Sequence, residues 1–263
     1  MKLDIKGISF SYDSVKALDN ITFEVNEGEI LGVTGPNGSG KTTLLRCINR
    51  VLKPKIGTIF LDKEDILELD RKEIAKNIGV VPQNATIHFP FTVFDIVLMG
   101  RTPHLGRLDR ETSKDLEVAK NAMRITNTQH LADRLIDEVS GGEKQRIIIA
   151  RALTQEPKIL LLDEPTLHLD INHQLEVLEL IKRLARKNRL IVVLVSHDLN
   201  LANRYCDRLM LINSSKIHAI GKPQEVLTRE NIEDVYNIEV EYNYNKRSKS
   251  FNIIPISTID SKL

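Results

Sequence analysis

Cysteine is scarce: 2 in 263 residues. Cys47 and Cys206 show neither metal-ligand nor disulfide spacing, so a disulfide-stapled fold is not expected and a reducing cytoplasm is. Long apolar runs are missing as well. Runs such as Ile147-Ile148-Ile149-Ala150 and Ile159-Leu160-Leu161-Leu162 fall far short of the roughly 20 residues that a bilayer-spanning helix needs. Met1-Lys2-Leu3-Asp4-Ile5-Lys6 has no apolar segment of the signal-peptide kind. If the protein works at a membrane, another chain is expected to do the spanning. Nor is there an excess of one charge. With 37 basic and 36 acidic side chains the formal net charge is +1, which implies no bulk attraction to nucleic acid or lipid. No internal repeat or low-complexity linker occurs. What remains is 41% hydrophobic and 28% charged, a globular composition sized for one large domain or two small ones.

The feature that organises the chain is Gly35-Pro36-Asn37-Gly38-Ser39-Gly40-Lys41-Thr42, of the form G-x-x-x-x-G-K-[ST]. Ile30-Leu31-Gly32-Val33 before it reads as a buried strand, and Thr42-Thr43-Leu44-Leu45-Arg46-Cys47-Ile48 after it as a helix start. Glycines there let backbone N–H groups turn inward, and the helix N-terminus adds its positive end. Lys41 is placed to reach β- and γ-phosphates and the Thr42 hydroxyl to ligate Mg²⁺. Cys47, in the helix that follows, reads as core packing.

Strands are expected over Leu3–Phe10, Ile21–Val25, Thr58–Leu61 and Ile78–Val81, with a polar helix at Arg71–Asn77. Tyr12 is open to two readings, a partly buried packing residue or a platform for a purine ring. Gln83, at a strand end, carries little by itself. From Thr92 to Val139 the pattern turns helical, with a breaker-rich loop at Arg101–Arg107 and an amphipathic helix at Ser113–Ile125. Ser140-Gly141-Gly142-Glu143 opens another helix: Ser140 and Glu143 match a capping box, and the same residues also suit a second anion site.

Ile159–Leu162 reads as a strand buried on both faces, ending in Asp163-Glu164 at the edge where α/β sheets bind ligands. Asp163 suits Mg²⁺, and Glu164 suits orienting or deprotonating a water. A helix from Ile171 to Lys187 and a buried strand from Leu190 to Val195 follow, then His197, a histidine again at a strand end. A hairpin over Arg208–Ile220, a helix over Pro223–Tyr236 and a polar-tipped hairpin around Lys246-Arg247-Ser248-Lys249 complete the chain.

Together these residues resemble the ATP-binding subunit of ABC transporters, over nearly the whole chain and in the family's motif order. The resemblance implies an α/β fold. It would have a P-loop NTPase (RecA-like) core (about 1–86 and 156–240), an N-terminal antiparallel β subdomain, a helical subdomain insert (about 87–155) and a C-terminal hairpin tail (about 239–263). Gln83 matches the Q-loop, Val139-Ser140-Gly141-Gly142-Glu143 the signature usually written LSGGQ, and Ile159–Glu164 the Walker B strand. Leu167-His168-Leu169-Asp170 matches the D-loop, His197 the switch histidine and Tyr12 the adenine-stacking aromatic. Val139 and Glu143 depart from the usual Leu and Gln; the serine and both glycines are kept.

The resemblance assigns roles. Gly35, Asn37, Gly38, Ser39, Gly40, Lys41, Thr42 and Thr43 bind ATP phosphates; Thr42, Gln83 and Asp163 serve Mg²⁺. Glu164 is the general base and His197 contacts the γ-phosphate. Ser140, Gly141 and Gly142 complete the site of the opposite subunit in a head-to-tail homodimer, with Asp170 near its axis.

The segments Thr92–His104 and Thr166–Gln174 look like those of importers for iron–siderophore complexes, haem and cobalamin. Such importers pair two ATPase chains with two permeases and an extracytoplasmic substrate-binding protein, and they place the ATPase on the cytoplasmic face of the membrane. Residues from Gln83 to about His104 would then receive the permease, with no nucleic-acid partner. Other cargoes (molybdate, tungstate, zinc, manganese) and a soluble ABC ATPase of iron–sulfur assembly are the rival readings. His88, His104, His168 and His173 fit no ligand spacing and read as structural or interface residues.

Overall fold

A computed structural model describes residues 1–84, 89–106, 108–246 and 250–259. His88, Arg107 and the tip Arg247-Ser248-Lys249 lie outside the described residues. The chain forms two compact units, Met1–Leu67 with Ile191–Leu263, and Glu68–Leu190.

The first unit opens on two long antiparallel strands, β1 (Lys2–Tyr12) and β2 (Val15–Asn26). Leu3, Ile5, Ile8, Leu18, Ile21, Phe23 and Val25 line one buried face, the period-2 pattern of a half-buried sheet. β2 starts earlier than its alternation suggests, because Asn20 takes a positive φ of 54° and the β1–β2 register shifts beside it. β3 (Ile30–Thr34) is buried at every position. Helix α1 (Lys41–Ile48) follows, then β4 (Ile56–Leu61) and the two-residue β5 (Glu64–Asp65). β4 returns antiparallel to β1, giving a four-stranded sheet in the order β2-β1-β4-β5. This is the N-terminal antiparallel subdomain.

The second unit runs α2 (Arg71–Asn77), β6 (Ile78–Val81), α3 (Val93–Leu98), α4 (Ser113–Ile125), α5 (Gly141–Leu153), β7 (Ile159–Asp163) and α6 (Ile171–Asn188). Side chains fix where its helices start. Asp70, Thr92, Thr112, Ser140 and Asp170 each accept a first-turn backbone N–H at their N-caps, an interaction worth about 1 kcal/mol. Between 93 and 153 the described residues hold helices and turns and no strand. β6 and β7 pair in parallel, Ile78 opposite Ile159 and Val81 opposite Leu162. The expected loop at Arg101 is a 3₁₀ turn, Met99–His104.

The chain then returns to the first unit with β8 (Ile191–Val195), α7 (Leu199–Tyr205), β9 (Arg208–Asn213) and β10 (Lys216–Gly221). β3 lies between β8 and β9, parallel to both, and β10 closes antiparallel on β9. The helix expected over Pro223–Tyr236 is two, α8 (Pro223–Val226) and α9 (Arg229–Tyr236). Thr228 caps a fresh start by accepting the Asn231 N–H at 3.2 Å. β11 (Ile238–Asn245) and β12 (Ser250–Thr258) form the final hairpin. Asn200 and Asn203 of α7 fasten it through the backbone of Ile253 and Phe251. Both cysteines are buried and free; burial pushes the Cys47 thiol up to about 12, so it stays protonated and unreactive. No helix among the described residues is long and apolar enough to cross a membrane.

Candidate functional site

The glycine-rich turn joins β3 to α1. Gly35 and Gly40 have φ of 145° and 112°, and a Cβ at either would lie 2.1 Å from the Ile212 carbonyl oxygen or 2.3 Å from that of Ala17. Only glycine fits both the conformation and the approach. Gly40 is also the N-cap of α1, which therefore has no side-chain cap and no acid in its first turn. The other described helices of eight or more residues, α4, α5, α6 and α9, all have a side-chain cap. Lys41 is buried and folds back over the loop, its ammonium donating to the carbonyls of Gly35 at 2.9 Å and Pro36 at 2.8 Å. The result is a helix N-terminus with a cation beside it.

Tyr12 stands at this end of the helix. Its hydroxyl is 3.5 Å from Thr43 Oγ1 and its ring meets Phe10 edge-on at 5.0 Å, while 43% of the residue remains exposed. It packs on one side and offers a free ring surface on the other. In the same unit His197 is exposed, just past β8 and next to Asp198, the cap of α7.

In the second unit the parallel pairing of β6 and β7 aligns their C-terminal ends, where open α/β sheets carry ligands. It brings together two residues 81 positions apart: Gln83 Nε2 donates to Glu164 Oε2 at 2.8 Å. Asp163, the last residue of β7, is buried. Glu164 takes a left-handed φ of 52°, strained for a residue with a side chain and kept where the surroundings impose it.

The start of α5 is a complete capping box. The backbone N–H and the hydroxyl of Ser140 both donate to Glu143 Oε2 at 2.8 Å, and the Glu143 N–H donates back to Ser140 Oγ at 3.3 Å. The Ser140 backbone N–H, and then its hydroxyl, hold the Glu143 carboxyl below its usual range. Gly142 is covered by the His173 ring; a Cβ there would lie 2.5 Å from it. His173 in turn donates its backbone N–H to Asp170 and sets Nδ1 2.9 Å from the same carboxylate. Gln174 Nε2 donates to the Leu169 carbonyl at 3.0 Å. Arg146 pairs with Glu176 at 2.6 Å. The stretch after the acid pair is thus bound to the glycine-rich start of α5, a role for His173 that spacing did not reveal. The one sequence signal for it was Asp170 with His173 at the N-cap and third position of a helix.

The Gly100–His104 segment is used internally. Arg101 is 3% exposed. It donates to Asp115 (2.8 Å), to the Thr154 carbonyl (2.9 Å) and to Glu156 (2.8 Å). The Thr112 hydroxyl and backbone N–H, with Arg101, hold the Asp115 carboxyl well below the usual range. Gly100 lies against the α5 backbone at Arg151, and His104 Nε2 is 2.9 Å from the Gln155 carbonyl. Arg101, expected in a surface groove, is a buried tie. Among the described residues, Phe89, Pro90 and Met99 are the exposed apolar members of that region.

Comparison with known proteins decides the family, since its ABC transporter model matches residues 18–167. The chain belongs to the ABC transporter family. It is an ATP-binding ATPase chain of that family. It is 42% identical over 231 residues to the ferric enterobactin transport ATP-binding protein FepC of Escherichia coli K12, covering 88% of this chain and 85% of that protein. It superposes with TM-score 0.85 and 33% identity on a chain of a metal-chelate type ABC transporter solved in an inward-facing conformation, covering 97% of this chain and 96% of that one. An ABC transporter cassette solved as a dimer matches with TM-score 0.72 and 28% identity over 84% of this chain and 98% of its own.

Proposed function

We propose that this chain is the ATP-hydrolysing subunit of an importer of metal chelates, of the iron–siderophore, haem or cobalamin type, working at the cytoplasmic face of the membrane. The observation that carries the nucleotide part is α1: a helix of eight residues that begins on Gly40, uncapped by any side chain, with Lys41 folded beside it. Its positive end suits a phosphate chain, which Gly35, Asn37, Gly38, Ser39, Gly40, Lys41, Thr42 and Thr43 would cradle. Tyr12 stacks on the adenine. The likeness to a ferric enterobactin ATPase and to a metal-chelate transporter supports the cargo class.

The Thr42 hydroxyl, the Asp163 carboxylate and the Gln83 amide oxygen would each offer an oxygen donor, one of them charged. That suits Mg²⁺, which takes its other ligands from phosphate and water. When bound, Mg²⁺ neutralises charge developing on the β- and γ-oxygens. Glu164 accepts the proton of the attacking water, and Gln83, bonded to it, holds its carboxylate in place. His197 contacts the γ-phosphate. Ser140, Gly141 and Gly142 serve the nucleotide of a second copy across a head-to-tail dimer, with Asp170 near the axis; that a similar cassette was solved as a dimer supports the pairing of two copies. The exposed Phe89, Pro90 and Met99 meet a permease, of which the complex has two, along with a substrate-binding protein.

The test is Glu164→Gln. Losing a general base lowers turnover by about 10²- to 10⁴-fold, while equilibrium ATP binding stays intact. Unimpaired hydrolysis in this variant overturns the assignment. Purification from detergent extract should also recover an integral membrane partner.

A further inference from the structure

The family signature usually ends in Gln; here Glu143 stands in that place. We propose that Glu143 is a latch on Ser140: its carboxylate holds both hydrogen-donating groups of that serine, and ATP must displace it before the start of α5 can engage phosphate. This rests on the reading of Ser140 as a phosphate contact across a dimer.

The geometry is explicit. The Ser140 hydroxyl has one proton, and it lies on Glu143 Oε2 at 2.8 Å, the same oxygen that accepts the Ser140 backbone N–H at 2.8 Å. To donate to a phosphate oxygen, the hydroxyl must leave a charged acceptor, and hydrogen bonds to charged groups are stronger than neutral ones. The bonds from Ser140 also keep the carboxyl ionised, since they hold it below its usual range. Arg134 and Arg146 are the cations whose fields reach it, and Arg146 is already paired with Glu176 at 2.6 Å. An approaching phosphate therefore meets an anion at the very helix end that should attract it. A glutamine would keep the acceptor geometry of the box and remove the charge.

Glu143→Gln in the full chain tests this, and folding is not at risk because glutamine serves the same capping position. The variant should form its ATP-dependent dimer, measured by light scattering with Glu164→Gln also present to slow turnover, at a half-maximal ATP concentration about 3- to 10-fold lower. In the otherwise unaltered chain KM for ATP should fall with little change in kcat. Salt should assist dimer formation of the parent by screening the carboxylate, and should do so less in the variant. An unchanged or higher half-maximal concentration, with an unchanged salt response, overturns the latch. Ser140→Arg separates the two readings: if it still blocks the dimer, only the latch has failed, and if dimers survive it, the sandwich itself has failed.

Discussion

Helices α1 and α5 both start in glycine-rich turns, and both are proposed to face the phosphates of ATP, yet their first turns are built differently. α1 starts on Gly40, with no side-chain cap and no acid. α5 starts on Ser140, with a reciprocal capping box and a carboxylate at its third position. The positive end of a helix attracts an anion within the first turn. In α1 that attraction is left for a ligand, with Lys41 beside it; in α5 the chain's own Glu143 already answers it. An end that stores stability internally is a poor first binder and a good second one. The contrast suits a site in which nucleotide settles on α1 before α5 of another copy closes on it.

If the two ends differ for function rather than folding, the most costly substitution for stability should lie at neither. Arg101→Met should be that one. It leaves the Asp115 carboxylate buried without its cation, and breaking such a pair costs about 3–5 kcal/mol. Urea unfolding should show the loss, with nucleotide affinity of the folded fraction unchanged. A cost near zero would mean that the buried pair contributes little to this fold.

Next in size is a matched pair of glycine substitutions. At Gly40, φ of 112° and the Ala17 carbonyl 2.3 Å from a new Cβ make Gly40→Ala strained by at least about 1–3 kcal/mol, and nucleotide binding should disappear. At Gly141 the nearest atom to a new Cβ is 3.8 Å away and φ is not positive, so Gly141→Ala should stay within about 0.5 kcal/mol of the parent. Melting and titration with a fluorescent nucleotide would compare them. Equal tolerance at both sites would erase the distinction between the two ends.

The smallest effect is with pH. Glu143 titrates lower in the folded chain than unfolded. Its contribution is therefore complete above the unfolded glutamate range, near about pH 4.3, and is lost as pH falls through the folded value. Protection of the first-turn amides of α5, corrected for intrinsic exchange rate, should decline in that acid window by the worth of a cap, about 1 kcal/mol or less. α1, with no acid in its first turn, should show no such local decline.

Features whose causes are local were readable in advance. α2 and α4 begin where the spacing predicts because Asp70 and Thr112 cap their first turns. The Ser140–Glu143 box was legible from two residues three apart. The β9–β10 hairpin turns at Ser214-Ser215, both at positive φ, as its composition suggests. What was not legible depends on distant partners. Gln83 and Glu164 meet only because β6 and β7 pair in a particular parallel register. Arg101 looked like loop because Gly100 and Pro103 flank it; its burial is made possible by Asp115 and Glu156, 14 and 55 positions away. The break between α8 and α9 was signalled by Thr228, and apolar spacing on both sides masked it.

The Gly100–His104 turn has one more consequence. Its Arg101 and His104 side chains hold Asp115, Glu156 and the carbonyls of Thr154 and Gln155, and Thr102 donates to the Met99 carbonyl at 2.7 Å. Residues spent in this way on neighbours inside one fold are not available to an outside partner. The same bonds tie this turn to α4 and to the end of α5. Under the proposed importer role, the choice of partner falls to residues that face outward, such as Phe89 and Met99.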